Sequence, residues 1–197
     1  MIGKAVDNKS LCEMRHSAAK SHEKDSNYKN ATSGSFFTVM LLIISLALAV
    51  RLFFLEPTRV DGESMFPTLY NNERVLVDKT AYWFDTPDRG DIVICYYPGY
   101  TETCVKRVIA VGGETVEVRN GRVLINGSPL GEQEYWNDIM DSDMPAQVVP
   151  EGYIFVMGDN RNYSKDSRFA SVGPIPLNRV TGRVLVSFWP LKYARSF

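Results

Sequence analysis

The chain has 197 residues, with 22 Lys and Arg against 23 Asp and Glu and a formal charge of −1, so it lacks the basic excess that nucleic-acid binding requires and no such partner is expected. Its two histidines, His16 and His22, sit near the start, and its three cysteines are Cys12, Cys95 and Cys104. A Ser-His-Asp triad, a Cys-His pair and a histidine-ligated zinc are thereby excluded from everything beyond the first long apolar run, and neither metal nor cofactor is expected.

Residues 1–35 set Lys4, Lys9, Arg15, Lys20, Lys24 and Lys29 against Asp7, Glu13, Glu23 and Asp25 among many polar residues, a composition that predicts a disordered tail. Residues 36–55 are apolar apart from Thr38, Ser45 and Arg51. At about 1.5 Å per helical residue such a run crosses the roughly 30 Å hydrocarbon core, which predicts a transmembrane helix with Arg51 snorkelling near one end. Lys20, Lys24 and Lys29 precede it and only Arg59 closely follows, so the positive-inside rule puts the N-terminus in the cytoplasm. A cleaved signal peptide ending at Ala47-Leu48-Ala49 is the rival, but the polar stretch before it is long and apolar residues resume at Leu52.

Residues 56–197 are enough for one domain with its own core. Runs rich in Val, Ile, Tyr and Phe predict strands at 74–78, 91–97, 103–111, 115–119, 122–125, 153–157 and 180–189. Asn120-Gly121 between the fourth and fifth of these marks a type I′ hairpin, and Asn126-Gly127 turns the chain again. Residues 131–148 become acidic and irregular, so an insertion or small β-ribbon lobe is expected around 112–150. The expected fold is mainly β, a folded sheet or barrel-like catalytic domain preceded by one transmembrane helix. With the N-terminus inside, Cys95 and Cys104 face the oxidising side, placed symmetrically about the 97–101 turn. They form either a cross-strand disulfide or two small buried thiols.

Three segments could carry chemistry. Ser64 follows Gly62 and precedes Pro67, a context for a sharp, rigid loop, although most such serines are turn residues. Lys106 lies in a strand pattern that puts it on one face with Cys104, Val108 and Ala110, while Arg107 faces the other way with Val105 and Ile109. Burial would lower its pKa and let it serve as a general base toward a serine; a snorkelling edge-strand lysine is the plainer alternative. Residues 158–168, GDNRNYSKDSR, are dense in groups that hydrogen-bond backbone or one another, as an ordered loop at a site or a solvated turn would be.

The runs GESMFPTL, CVKRVIAVGGE and MGDNRNYSKDSR, in this order after one apolar span, with RGDIV at residues 89–93, closely resemble the signature segments of bacterial type I signal peptidases. The resemblance implies a Ser/Lys dyad endopeptidase that removes signal peptides from exported preproteins at the outer face of the cytoplasmic membrane of a bacterium, held there by a single span with its N-terminus inside. It implies Ser64 as nucleophile, Lys106 as general base and Ser164 as the hydroxyl that orients the lysine, with Asp159, Asn160, Arg161, Asp166 and Arg168 as scaffold. It also implies that Val60, Met65, Leu69 and Val105 line pockets for small residues at −1 and −3 of a substrate bound as an added strand. The partners expected are preproteins and the lipid bilayer, with the enzyme a monomer. Eukaryotic relatives use histidine as base, which this domain lacks.

Three departures stand out. Some family members carry a hydroxyl two residues before the nucleophile, where this chain has Gly62, so the Ser64 N–H is expected as one oxyanion donor and the second is left open, with a neighbouring N–H or a water as the substitutes. Residues 111–114, VGGE, replace the usual Leu-Pro-Gly-Asp turn, and residues 132–149 match nothing assignable. The competing functional class, an inactive signal-peptidase-like binding protein, would not need the complete set of Ser64, Lys106 and Ser164. Self-cleaving repressors share the dyad but carry a DNA-binding domain, for which a 35-residue tail leaves no room.

Overall fold

A computed structural model describes residues 36–131 and 139–197, so the predicted tail and part of the acidic stretch lie outside the described residues. The chain divides into a unit ending at Val50 and a second unit, Arg51–Phe197. One helix, Phe36–Phe53, has a mean hydropathy of 2.5 and is long and apolar enough to cross a membrane. It stops two residues short of the expected 55 because Leu55 opens a strand and pairs with Asp78.

Among its described residues the second unit has twelve strands: β1 (Leu55–Arg59), β2 (Arg74–Asp78), β3 (Ile92–Tyr96), β4 (Thr103–Val111), β5 (Thr115–Arg119), β6 (Arg122–Ile125), β7 (Ser128–Pro129), β8 (Met144–Val148), β9 (Tyr153–Met157), β10 (Ile175–Pro176), β11 (Val180–Trp189) and β12 (Arg195–Ser196). The larger sheet has the order β1-β2-β11-β3-β4-β9-β10 with β12 beside β11, and the smaller one β7-β6-β5-β8. The alternating Val and Ile residues that predicted strands account for the longer elements, because each apolar face finds a core. The missed strands, β1, β7, β8, β10 and β12, include Pro57, Pro129, Pro145 and Pro176 and run mostly along exposed edges, so hydrophobic alternation does not mark them. At the predicted hairpin, Asn120 and Gly121 have φ of 52° and 69°, as a type I′ turn demands.

Three apolar clusters support the sheets. One joins β5 and β6 to the ends of β4 and β9 through Val116, Val118, Val123, Ile125, Ile109 and Phe155. A second gathers Val60, Met65, Leu69, Val75, Val77, Ile92, Ile94 and Val184 beneath the loop that follows β1. The third holds Val93, Cys95, Val108, Val156 and Ile175. The β4–β9 register shifts between Val108 and Ala110, and this bulge breaks strict alternation. Ala110 consequently packs with Ile109 rather than sharing a cluster with Val108, which corrects the simple two-face reading of this strand.

The unusual turn at 111–114 is closed by its own glutamate. Glu114 Oε2 accepts the Val111 N–H at 2.9 Å, and the Glu114 N–H donates to the Val111 carbonyl at 3.1 Å. Arg89 pairs with the same side chain.

Candidate active site

The loop carrying Ser64 is pinned at its base, where the Val60 N–H donates to Glu73 O at 2.8 Å and the Asn72 N–H donates to Val60 O at 2.9 Å. Gly62 within it has φ of +96°, a conformation that residues with a side chain rarely adopt. The position that carries a hydroxyl in some relatives is thus held as glycine by the backbone path. The Met65 and Leu69 side chains anchor the loop from below in the second apolar cluster.

Lys106 reaches Ser64 from β4. Its Nζ lies 2.7 Å from Ser64 Oγ and donates at 2.9 Å to Val105 O, and the residue is only 4% exposed. Burial lowers the lysine pKa from its ordinary 10.5, with the nearby Cys104, Asp166, Cys95 and Asp159 acting in the opposite direction. A side chain that is readily neutral, held against a hydroxyl at hydrogen-bond distance, meets the geometric condition for a general base.

The segment after β9 frames this pair. Asp159, fully buried, receives both Arg107 Nε at 2.9 Å and Arg107 Nη2 at 2.7 Å, while Arg107 Nη1 donates to Gly90 O. Asp166, also fully buried, accepts the Gly158 N–H at 3.0 Å and the Arg168 Nε at 2.8 Å. Arg161 Nε donates to Gly158 O at 3.1 Å, and Arg168 Nη2 donates to Arg161 O. Asn160 ties this frame to the nucleophile: its N–H donates to Ser64 O and its Nδ2 to Glu63 O, each at 3.0 Å. A Cβ on Gly158 would lie 2.3 Å from both Ser64 O and Ser164 Oγ, so glycine alone lets the two segments approach.

The sites expected from sequence fall into three groups. Ser64, Lys106, Asp159, Asn160, Arg161, Asp166 and Arg168 form one connected polar corner. Ser164 is buried beside it, yet its Oγ has no hydrogen-bond partner, so the lysine is held by Ser64 and Val105 O instead of by a direct bond from Ser164. Of the apolar residues, Val60, Met65 and Val105 line a groove of about 520 Å³ that ends at Ser64 and Lys106, whereas Leu69 is completely buried in the core. Ile94 and Tyr96 also line that groove.

Sequence reasoning missed Arg107, the partner of Asp159. Its only signal was a charged residue in an otherwise apolar strand, and Lys106 beside it gave the same signal. Cys95 and Cys104 do oppose each other across β3 and β4, but as free thiols with Sγ atoms 3.8 Å apart. The hydrogen bond with Cys104, together with burial, pushes the Cys95 thiol up, and the same bond holds the more exposed Cys104 down.

A serine in contact with a buried lysine, on an antiparallel β scaffold that presents an open groove, is the equipment of a serine endopeptidase without histidine. Residues 33–189 match the family model described as signal peptidase, peptidase S26. The chain is 42% identical over 158 residues to "Signal peptidase I" of Leptolyngbya laminosa, covering 76% of each chain. It is 40% identical over 160 residues to "Probable signal peptidase I-1" of Synechocystis sp., covering 77% of this chain and 80% of that one. A crystal structure of a signal peptidase I from Enterococcus faecalis aligns at 33% identity with a TM-score of 0.44, covering 50% of this chain and 97% of that one. The chain belongs to the peptidase S26 signal peptidase family.

Proposed function

We propose that this protein is a membrane-anchored signal peptidase that cleaves exported preproteins through a Ser64/Lys106 dyad and an acyl-enzyme. The observation that carries this reading is the 2.7 Å contact between Lys106 Nζ and Ser64 Oγ inside a buried site. In the reactive form the lysine is neutral and the contact runs the other way, with the Ser64 hydroxyl donating to Nζ. As Oγ attacks the carbonyl carbon, the proton passes to Nζ; the resulting ammonium then protonates the departing amine. A water activated by the again-neutral lysine hydrolyses the Ser64 ester and releases the signal peptide.

The Ser64 N–H is the proposed oxyanion donor, and Gly62 can add no hydroxyl to it; one donor of this kind is worth about 10² to 10³ in rate. Substrate lies extended in the groove between residues 58–61 and 103–106, with small side chains at −1 and −3 against Val60, Met65 and Val105. In this reading helix Phe36–Phe53, long and apolar enough to cross a membrane, is the anchor, and Lys20, Lys24 and Lys29 before it favour an N-terminus in the cytoplasm with the β domain at the outer face of a bacterial membrane.

The test is cleavage of a preprotein whose signal ends in Ala-x-Ala by the detergent-purified full chain and by its Ser64→Ala and Lys106→Ala variants. Wild type should release the mature protein, and each variant should lose at least roughly 10⁴-fold in kcat. Equal products from all three would refute the dyad.

A further inference from the structure

Besides the substrate groove at Ser64, a second concavity opens beside Glu63, the residue before it in the chain. It measures about 580 Å³ and is lined by Glu63, Phe66, Tyr70, Asn160, Asn162 and Tyr163. Its size falls within the range of about 300 to 1,000 Å³ usual for binding pockets. The two grooves meet at one piece of backbone. Ser64 borders the first, Glu63 borders the second, and Asn160 of the second donates to the carbonyls of both residues. For a peptide whose scissile carbonyl rests at Ser64 Oγ and whose preceding residues fill the first groove, the second groove is the adjoining concavity, across the 63–64 backbone, open to the residues that follow the bond.

The walls of this second groove are both rigid and unexpectedly apolar for a surface. Phe66, 45% exposed, packs edge-on against Tyr70 with ring centroids 5.4 Å apart, and Tyr70 stacks on Tyr193 at 4.9 Å. Tyr163 ends the 3-10 turn Arg161–Tyr163 and is 81% exposed, although Arg161 before it and Ser164 after it are buried. Between these two buried residues Asn162 and Tyr163 are both exposed, and the Tyr163 ring projects into solvent, where it buries little for folding. The charged residue among the lining groups is Glu63, an exposed carboxylate.

We propose that this groove binds the first residues of the mature chain, those just after the cleaved bond, and reads them: an aromatic or large aliphatic side chain is favoured against Phe66 and Tyr163, and an acidic one is disfavoured by Glu63. The proposal rests on the reading that signal-peptide residues occupy the groove beside Val60 and Val105. Tyr163 and Glu63 are then specificity determinants for the segment that leaves, separate from the pockets for −1 and −3.

The experiment measures kcat/KM of the full chain in detergent on peptides identical through −1 that carry Gly, Phe or Glu at +2. Phe should exceed Gly by roughly threefold to tenfold, the scale of one aromatic contact, and Glu should fall below Gly. Tyr163→Ala should bring the Phe-to-Gly ratio close to one, and Glu63→Gln should relieve the Glu penalty. Both variants should keep the wild-type ratio between Ala and Leu at −3. A purely structural role for Tyr163 would lower all substrates by one factor and preserve the Phe-to-Gly ratio, which overturns the proposal, as would a wild type indifferent to +2. If wild type cleaves none of the peptides, the peptidase reading itself fails and takes this one with it.

Discussion

Val116, Val118, Val123, Ile125 and Met140 bury apolar side chains beside the small sheet, and among the described residues of 112–150 nothing charged is buried with them. Around β4 and the segment after β9 the opposite holds: Lys106, Arg107, Asp159, Arg161, Ser164, Asp166 and Ser167 are all buried. Apolar burial stabilises by area and tolerates substitution that keeps volume, whereas buried charge stabilises only while its partners stay in place. The first region is held by apolar area, and the second surrounds the Lys106–Ser64 contact with charges that depend on one another. Arg107–Asp159 and Arg168–Asp166 satisfy their own charges in bidentate pairs, and so the frame is held without adding a hydrogen bond that would keep Lys106 protonated.

That contrast can be broken at three points. The largest effect should come from pH. With Lys106 as the proposed base, only its neutral form can accept the proton, and burial lowers its pKa below 10.5, so kcat/KM should rise about tenfold per pH unit below that pKa and level off above it. A profile flat between about pH 6 and 10 would remove Lys106 from the base role. Next, Asp159→Ala removes the buried carboxylate that faces the Arg107 guanidinium and should cost about 3 to 5 kcal/mol in urea unfolding, with activity lost as the corner loosens. Asp159→Asn, which keeps acceptor capacity on one oxygen, should cost less. If Asp159→Ala unfolds like wild type, the Arg107–Asp159 pair does not stabilise the polar corner.

The smallest effect sharpens the other side. Ile125→Val in the small sheet removes one methylene and should cost about 0.5 to 1.5 kcal/mol. Its kcat/KM and its pH profile should match wild type. A shifted profile would mean that the small sheet's packing reaches the Lys106 environment, and the two regions could not then be treated as independent.

Much of this molecule is legible from residues alone, for identifiable reasons. β2, β5 and β6 announce themselves because each buries an alternating apolar face, β3, β4 and β9 because their apolar runs are buried on both faces, and the Asn120-Gly121 turn because few other pairs accept its two positive φ angles. The edge strands escape notice because proline and exposed polar residues form them, held by pairing rather than by pattern. The bulge at Ile109 is likewise invisible, since it answers to the register with β9.

The site divides the same way. Composition fixed that any base in this domain could not be histidine, and three ordered motifs pointed to Ser64, Lys106 and the 158–168 segment. What no spacing could supply is that 42 residues of chain fold so that Nζ meets Oγ at 2.7 Å, that Arg107 rather than Lys106 pairs with Asp159, or that Leu69 turns into the core while Val60 and Val105 face the groove. Residue types limit which reactions are chemically possible. Distance, burial and the partner each charge finds are properties of packing between distant segments, and they exist only once the sheets have formed.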